Sequence, residues 1–219
     1  MSTRADFEIH ARPGTDIWRK PPTTNAFNAP TICLDNGALN TFQRARLSFA
    51  LPKRSALHKY DQGGLLLCIK RRDEPQREAQ WIKSGVEFYL DQPWVGTVCC
   101  DRWADWSITP LVGGNAEKQG DAEAGEGEGD VTATIEVERS RDEMGRSLWI
   151  YAVEGGKRVP VREVNWIFAD DEGEELVWLE VRAYAARPLA KEDDGEESLV
   201  VKFLEYEVEW TKKPGSEGL

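Results

Sequence analysis

Trp81-Ile82-Lys83-Ser84-Gly85-Val86-Glu87-Phe88 reads as a single β-strand with two very different faces. Successive side chains of an extended chain point to opposite sides, so Ile82, Val86 and Phe88 share one face and Trp81, Lys83 and Glu87 the other. The first row belongs in a core. The second places an indole, an ammonium and a carboxylate side by side, a combination suited to neither an ordinary core nor an ordinary wet surface. Lys83 and Glu87 stand about 13–14 Å apart along the strand, so each must find its partners on neighbouring strands.

The same alternation extends in both directions. Upstream, residues 43–50 carry Ala45, Leu47 and Phe49 on one side and stop at Pro52, and residues 64–70 form a short apolar run around Leu65-Leu66-Leu67-Cys68-Ile69. Downstream, residues 94–101, 105–109, 131–139, 147–154, 161–169, 176–186 and 199–211 repeat the pattern. In 176–186 an apolar row, Val177, Leu179, Val181 and Ala183, opposes Trp178, Glu180, Arg182 and Tyr184, an outer row too aromatic to be merely solvated. Helical periodicity is nowhere convincing, and no repeat or linker divides the core. About ten strands at this spacing predict one all-β domain over residues 1–211, built as an antiparallel sandwich or barrel. Residues 1–30, rich in proline, predict an irregular arm, and residues 212–219 a disordered tail.

The formal charge of −11 is unevenly placed: residues 115–130 hold six acids and one lysine, and residues 191–198 five acids and one lysine. Both stretches lack large apolar side chains and predict acidic, flexible insertions on a nearly neutral body. That balance repels a phosphate backbone and argues against nucleic-acid binding. No apolar run approaches the roughly 20 residues of a membrane span, and no secretory signal is evident, which predicts a cytoplasmic protein. Cys33, Cys68, Cys99 and Cys100 lie in apolar stretches without Cys-x-x-Cys spacing, which predicts buried reduced thiols and no metal site. The adjacent Cys99 and Cys100 must face opposite sides of their strand.

Standard catalytic signatures are missing: no nucleophile elbow, phosphate loop or His-Glu-x-x-His occurs, and His10 and His58 are the only two histidines. Glu205, Glu207 and Glu209 alternate along the last strand and offer a carboxylate row of the kind used in glycoside hydrolysis. The simpler reading buries Leu204, Tyr206, Val208 and Trp210 and leaves those acids in water. Nine tryptophans are the stronger clue, because a flat apolar plate with one donor suits sugar rings and planar metabolites alike. A lysine among tryptophans is desolvated, which lowers its pKa towards base duty.

Tyr60-Asp61-Gln62-Gly63-Gly64-Leu65, then the Trp81–Phe88 stretch, then Asp105-Trp106-Ser107 together resemble the signature of the domain-of-unknown-function family 1349, whose best-known fungal members are called regulation-of-enolase proteins. Thr15-Asp16-Ile17-Trp18 and Arg162 also match its pattern, and the resemblance spans roughly residues 5–210. It implies a concanavalin A-like jelly-roll sandwich of two antiparallel sheets and no assigned reaction. Arg182 and Arg187 stand where members commonly carry smaller residues, which implies an altered groove.

These readings converge on a sheet face that binds a small organic molecule or a saccharide without a cofactor. Trp18, Gln62, Trp81, Trp106, Arg182 and Tyr184 would line it, and Lys83 or Glu87 would give acid–base assistance in a cyclase, isomerase or lyase. The rivals are a non-catalytic carbohydrate-binding or regulatory module and, last, hydrolysis by the terminal glutamates. Exposed sheet edges leave a homodimer open.

Overall fold

The apolar rows close on one another as two stacked sheets. The structure, a computed structural model, describes residues 3–71, 79–111, 129–169, 177–189 and 197–211. In chain order the strands are β1 (Thr3–Ala11), β2 (Ile17–Lys20), β3 (Thr24–Phe27), β4 (Thr31–Ala38), β5 (Phe42–Leu51), β6 (Gln62–Arg71), β7 (Gln80–Tyr89), β8 (Gln92–Cys100), β9 (Ala104–Pro110), β10 (Val131–Asp142), β11 (Gly145–Glu154), β12 (Lys157–Val164), β13 (Val177–Ala186) and β14 (Leu199–Trp210). One six-stranded sheet runs β1-β14-β5-β10-β11-β12, the other β4-β13-β6-β7-β8-β9, and β2 and β3 pair separately. Every strand pairing is antiparallel, as the alternation requires. The acidic stretches 115–130 and 191–198 fall outside the described residues except at their ends, and 212–219 lies wholly outside them.

Between the sheets, Leu47, Phe49, Ile135, Ile150 and Phe203 of the first meet Leu65, Leu67, Ile82, Val86, Leu179 and Val181 of the second. Each fully buried side chain of this kind stabilises by roughly 1.5–3 kcal/mol. Ser84 and Thr97 also face inward, and they satisfy one another with a hydrogen bond of 2.9 Å. Cys99 joins this core while Cys100 joins a second apolar layer on the outer face, as their adjacency demanded. Cys33, by contrast, is exposed, because it lies on β4 at the edge of its sheet.

Other expectations need correction. The irregular arm over residues 1–30 is largely strand: β1 completes the first sheet against β14, where Phe7 stacks on Phe203 at 5.0 Å, and β2 and β3 form a small hairpin. The prolines sit between these strands rather than inside them, where they interrupt no ladder. The strand expected at 161–169 is displaced to β12, and the turn after it buries Ile167 and Phe168. In β14, Phe203 opposes Phe49 and Glu205 opposes Ser48, so Leu204 is the extra residue of a bulge. Leu204 is therefore 45% exposed instead of buried, while Tyr206, Val208 and Trp210 still turn inward. Arg44 Nη1 binds Glu207 at 2.9 Å and Glu209 at 2.6 Å, so these acids form an ion-pair row and not a free carboxylate pair.

Two arginines tie the sandwich together. Arg162 of β12 donates to the Asp105 carboxylate (2.6 Å) and carbonyl (3.3 Å) and to Ser107 Oγ (3.2 Å) on β9, suturing one side of the two sheets. Arg187, expected to reshape a groove, is instead buried: its guanidinium grips Asp61 through two hydrogen bonds of 3.0 and 2.8 Å. Arg187 also donates to the carbonyl of Glu197 at 2.9 Å, and its backbone bonds Thr15 in both directions. Removing one partner of such a pair leaves a buried charge uncompensated, which costs about 3–5 kcal/mol. Asp61→Asn is therefore expected to lower the unfolding free energy by that amount in urea titration, whereas a loss below about 1 kcal/mol would mean that the pair is dispensable.

Candidate functional site

The outer face of the second sheet is crossed by a strip of glycines. Gly64, Gly85 and Gly96 stand opposite one another on β6, β7 and β8, with Tyr184 of β13 at one end of the row and Ile108 of β9 at the other. A Cβ on Gly85 would lie 2.1 Å from the carbonyl oxygen of Gly63, and one on Gly64 2.4 Å from that of Ser84. No side chain other than hydrogen fits there. The result is a shallow trough with a backbone floor, flanked by the row of Arg182, Leu66, Lys83, Val98 and Trp106 and by the row containing Gln62, Glu87 and Trp94.

Lys83 and Glu87 both lean into this strip. Lys83 lies opposite Leu66, yet its Nζ donates to Oε1 of Gln62, four residues along β6, at 2.7 Å. Its stem therefore crosses the glycine row. Glu87 comes from the other bank: a Cβ on Gly96 would meet its Oε2 at 2.7 Å, so the carboxylate rests on that glycine. The same oxygen accepts 2.9 Å from the indole Nε1 of Trp106. Two groups too far apart on the strand to pair directly are thus folded towards one strip of floor.

The N-terminal segment supplies the roof. Ile17, Trp81, Leu66, Cys68, Val98, Cys100 and Tyr184 form an apolar layer, with Trp18, Ala29 and Trp106 packed on it. Asp16 reaches in from this roof. Its Oδ1 accepts 3.4 Å from Gln62 Nε2 and stands 3.6 Å from Lys83 Nζ. Asp16 is held by Asn28, which accepts its backbone N–H at 2.8 Å and in turn donates to the carbonyl of Gly14 at 3.0 Å.

Burial sets the electrostatics. Lys83 is 3% exposed, and desolvation lowers its pKa against the opposing pull of Asp16 and Glu87. Glu87 is 8% exposed, and desolvation raises its pKa although Lys83 and the Trp106 hydrogen bond oppose it. Desolvation, with Glu87 and Asp16 nearby, also holds Tyr184 well above the usual phenol value. Burial pushes Cys68 up to about 12, so that thiol stays unionised and is not a nucleophile here. The carboxyl and the amine are both driven towards their neutral forms, the arrangement that yields an acid and a base on one surface.

Of the residues expected to share a site, Gln62, Lys83, Glu87, Trp18, Trp81, Trp106 and Tyr184 come together, although Trp81 is packed within the layer and not an open wall. Arg182 does not join them. Its guanidinium turns to Glu180 Oε2 at 2.9 Å and Thr31 Oγ1 at 2.6 Å, away from Lys83. Sequence reasoning missed Asp16 as a site residue, although it lies inside the Thr15–Trp18 motif. Tyr60 and Tyr89 were missed as well. Their rings stack at 5.5 Å, and Tyr89 meets Trp106 edge-on at 5.5 Å, which extends the aromatic wall beyond Glu87. Tyr60 takes a positive φ of 69°, unusual for an aromatic residue.

The two site perturbations make distinct predictions. Lys83 binds fewer protons when folded than when unfolded, between its lowered pKa and 10.5, so its presence favours the fold increasingly as pH rises through that window. The stability of the protein relative to Lys83→Met should accordingly rise between pH 7 and 10 in urea titrations; a flat difference would mean an ordinary lysine. Gly85→Ala, whose methyl meets backbone, should cost about 3 kcal/mol or more, the upper end of overpacking losses. Gly96→Ala meets only the Glu87 side chain, and it should keep the fold while releasing Trp106, seen as a change in tryptophan fluorescence.

Comparison with known proteins places this geometry in a family. The chain is 41% identical over 207 residues to an uncharacterized protein of Emericella nidulans, a match covering 94% of this chain and 88% of the relative. A crystal structure of a functionally unknown protein from Saccharomyces cerevisiae superposes with a TM-score of 0.54 at 14% identity, covering 95% of this chain and 88% of that one. The structure of basic winged bean lectin with Tn-antigen overlays more loosely, with a TM-score of 0.42 at 12% identity over 97% of this chain and 99% of the lectin. Residues 1–209 match the family described as a protein of unknown function, DUF1349, and the chain belongs to that family.

Proposed function

We propose that the chain binds a small organic molecule in the glycine-floored trough and acts on it as a cofactor-independent isomerase, cyclase or lyase. The observation that carries this reading is the convergence of Lys83 and Glu87 on one strip of floor, each desolvated towards its neutral form. A neutral amine takes a proton and a neutral carboxyl gives one, so the pair moves a proton across a ligand lying between them. Trp106 orients the acid, and Gln62 orients the base, while Asp16 tunes the charge of that base from the roof. Apolar walls exclude water and strengthen each of these interactions.

A second reading rests on the aromatic ledge of Tyr60, Tyr89 and Trp106, which is half-buried and continues past Glu87. Such a ledge stacks against a sugar ring, and the chain is then a carbohydrate-binding module without catalysis. Thermal-shift measurements separate the two. A ligand at about 100 times its Kd stabilises by about 2.7 kcal/mol, or several degrees for a chain of this size. The expected result is a shift with planar apolar metabolites that is lost in Trp106→Ala and reduced in Glu87→Gln. A shift confined to saccharides would transfer the assignment to the binding module, and silence in both panels would remove the trough as a ligand site.

A further inference from the structure

Lys83 is under-supplied with partners for a buried ammonium. An ammonium carries three donors and needs a partner for each when water is excluded. Among the described residues Lys83 Nζ makes one hydrogen bond, to the neutral amide oxygen of Gln62 at 2.7 Å. The nearest carboxylate oxygen, Asp16 Oδ1, stands off at 3.6 Å and already accepts from the Ile17 N–H at 2.7 Å. The remaining directions are filled by the rings of Trp81 and Tyr184, centred 6.0 and 5.9 Å away. The two ring faces and Asp16 favour an ammonium, but only one of its three donors is met at hydrogen-bond distance, and a neutral amine, which donates once and keeps its lone pair free, needs no more. Lys20, Lys53, Lys59, Lys70, Lys157 and Lys202 are all exposed, so Lys83 differs in kind from the other described lysines.

We propose that Lys83 is a nucleophile that condenses with the carbonyl carbon of an apolar aldehyde or ketone to form an imine. This inference rests on the reading of the trough as a small-molecule site and names the substrate class. The amine lone pair adds to the carbonyl carbon and opens the C=O π bond to give a carbinolamine, with one amine proton passing to the carbinol oxygen. The Glu87 carboxyl then protonates the hydroxyl, the C–O bond breaks and water leaves. The products are a protonated imine on Lys83, the Glu87 carboxylate and one water, so mass and charge balance without an oxidant or reductant. The carboxylate left on Glu87 faces the new iminium across the glycine strip and is placed to take a proton from the carbon beside it. Glu87 holds Trp106 through Oε2, which leaves Oε1 for this exchange. The half-buried ring of Trp106 beside the strip favours a carbonyl compound with a flat apolar body.

The test uses the full chain with acetaldehyde, benzaldehyde and 2-naphthaldehyde as probes, and sodium cyanoborohydride to trap any imine as a secondary amine. Peptide mapping by mass spectrometry reads the modified residue, and tryptophan fluorescence without reductant reads binding separately. The expected result is a single adduct on Lys83, formed ahead of the exposed lysines and absent in Lys83→Arg. It should form about a hundredfold more slowly in Glu87→Gln, the scale of a lost general acid. A probe that binds but modifies only exposed lysines would overturn the imine and leave the acid–base reading standing. Absence of both binding and Lys83 adduct with all three probes would overturn both. Adduct formation on Lys83 at an unchanged rate in Glu87→Gln would remove Glu87 from the step.

Discussion

Arg187 gripping Asp61 is the constraint on which the rest of the structure depends. The pair is inaccessible to solvent, and each partner makes sense only in the presence of the other. Asp61 also accepts the backbone N–H of His58, which fixes the turn that delivers Gln62 to the start of β6. Arg187 follows directly on the end of β13, which carries Tyr184, and its backbone clasps Thr15, next to Asp16. One ion pair therefore sets the relative positions of the amide, the phenol and the carboxylate around Lys83. The site is assembled from segments far apart in sequence, and this knot is where they meet.

Alternation made the sandwich legible because it has a single physical cause, a sheet with one buried face. Ile82, Val86 and Phe88 on β7 and Val177, Leu179, Val181 and Ala183 on β13 enter the core as their spacing required. Reading failed where a strand is not half-buried. β4 has a largely exposed edge, so Thr31–Ala38 carries no clean apolar row. β1 follows the same period, but its prolines lie close behind it and suggested an arm. Leu204 shows another limit. A bulge changes the phase of alternation without marking the sequence, so residues on either side of it obey rules that contradict one another.

The candidate site was legible in part. Lys83 and Glu87 stood out because charge on a strand face beside tryptophan needs an explanation; Gln62 comes from the adjoining β6, whereas Trp106 comes from β9, one strand further on. What the sequence could not convey was the floor. Gly64, Gly85 and Gly96 are spread over three strands, and only register places them in one line. Arg182 was misread for a related reason. Its row is shared with Lys83, but side-chain direction is decided by the nearest carboxylate, and Glu180 is two residues away. Asp16 was invisible as a site residue because its role depends on a roof that folds back over the sheet.

The suture made by Arg162 has a bearing on how the protein behaves in company. β9 is the last strand of its sheet, and an unpaired strand edge is a template for a strand from another molecule. Arg162 covers part of that template by taking the carbonyl of Asp105 along with its carboxylate. A strand pairing along the whole of β9 would have to displace that guanidinium at Asp105. The arginine that joins the two sheets thus also occupies a backbone acceptor on an open edge, a contact made within the chain where a neighbouring strand would otherwise pair.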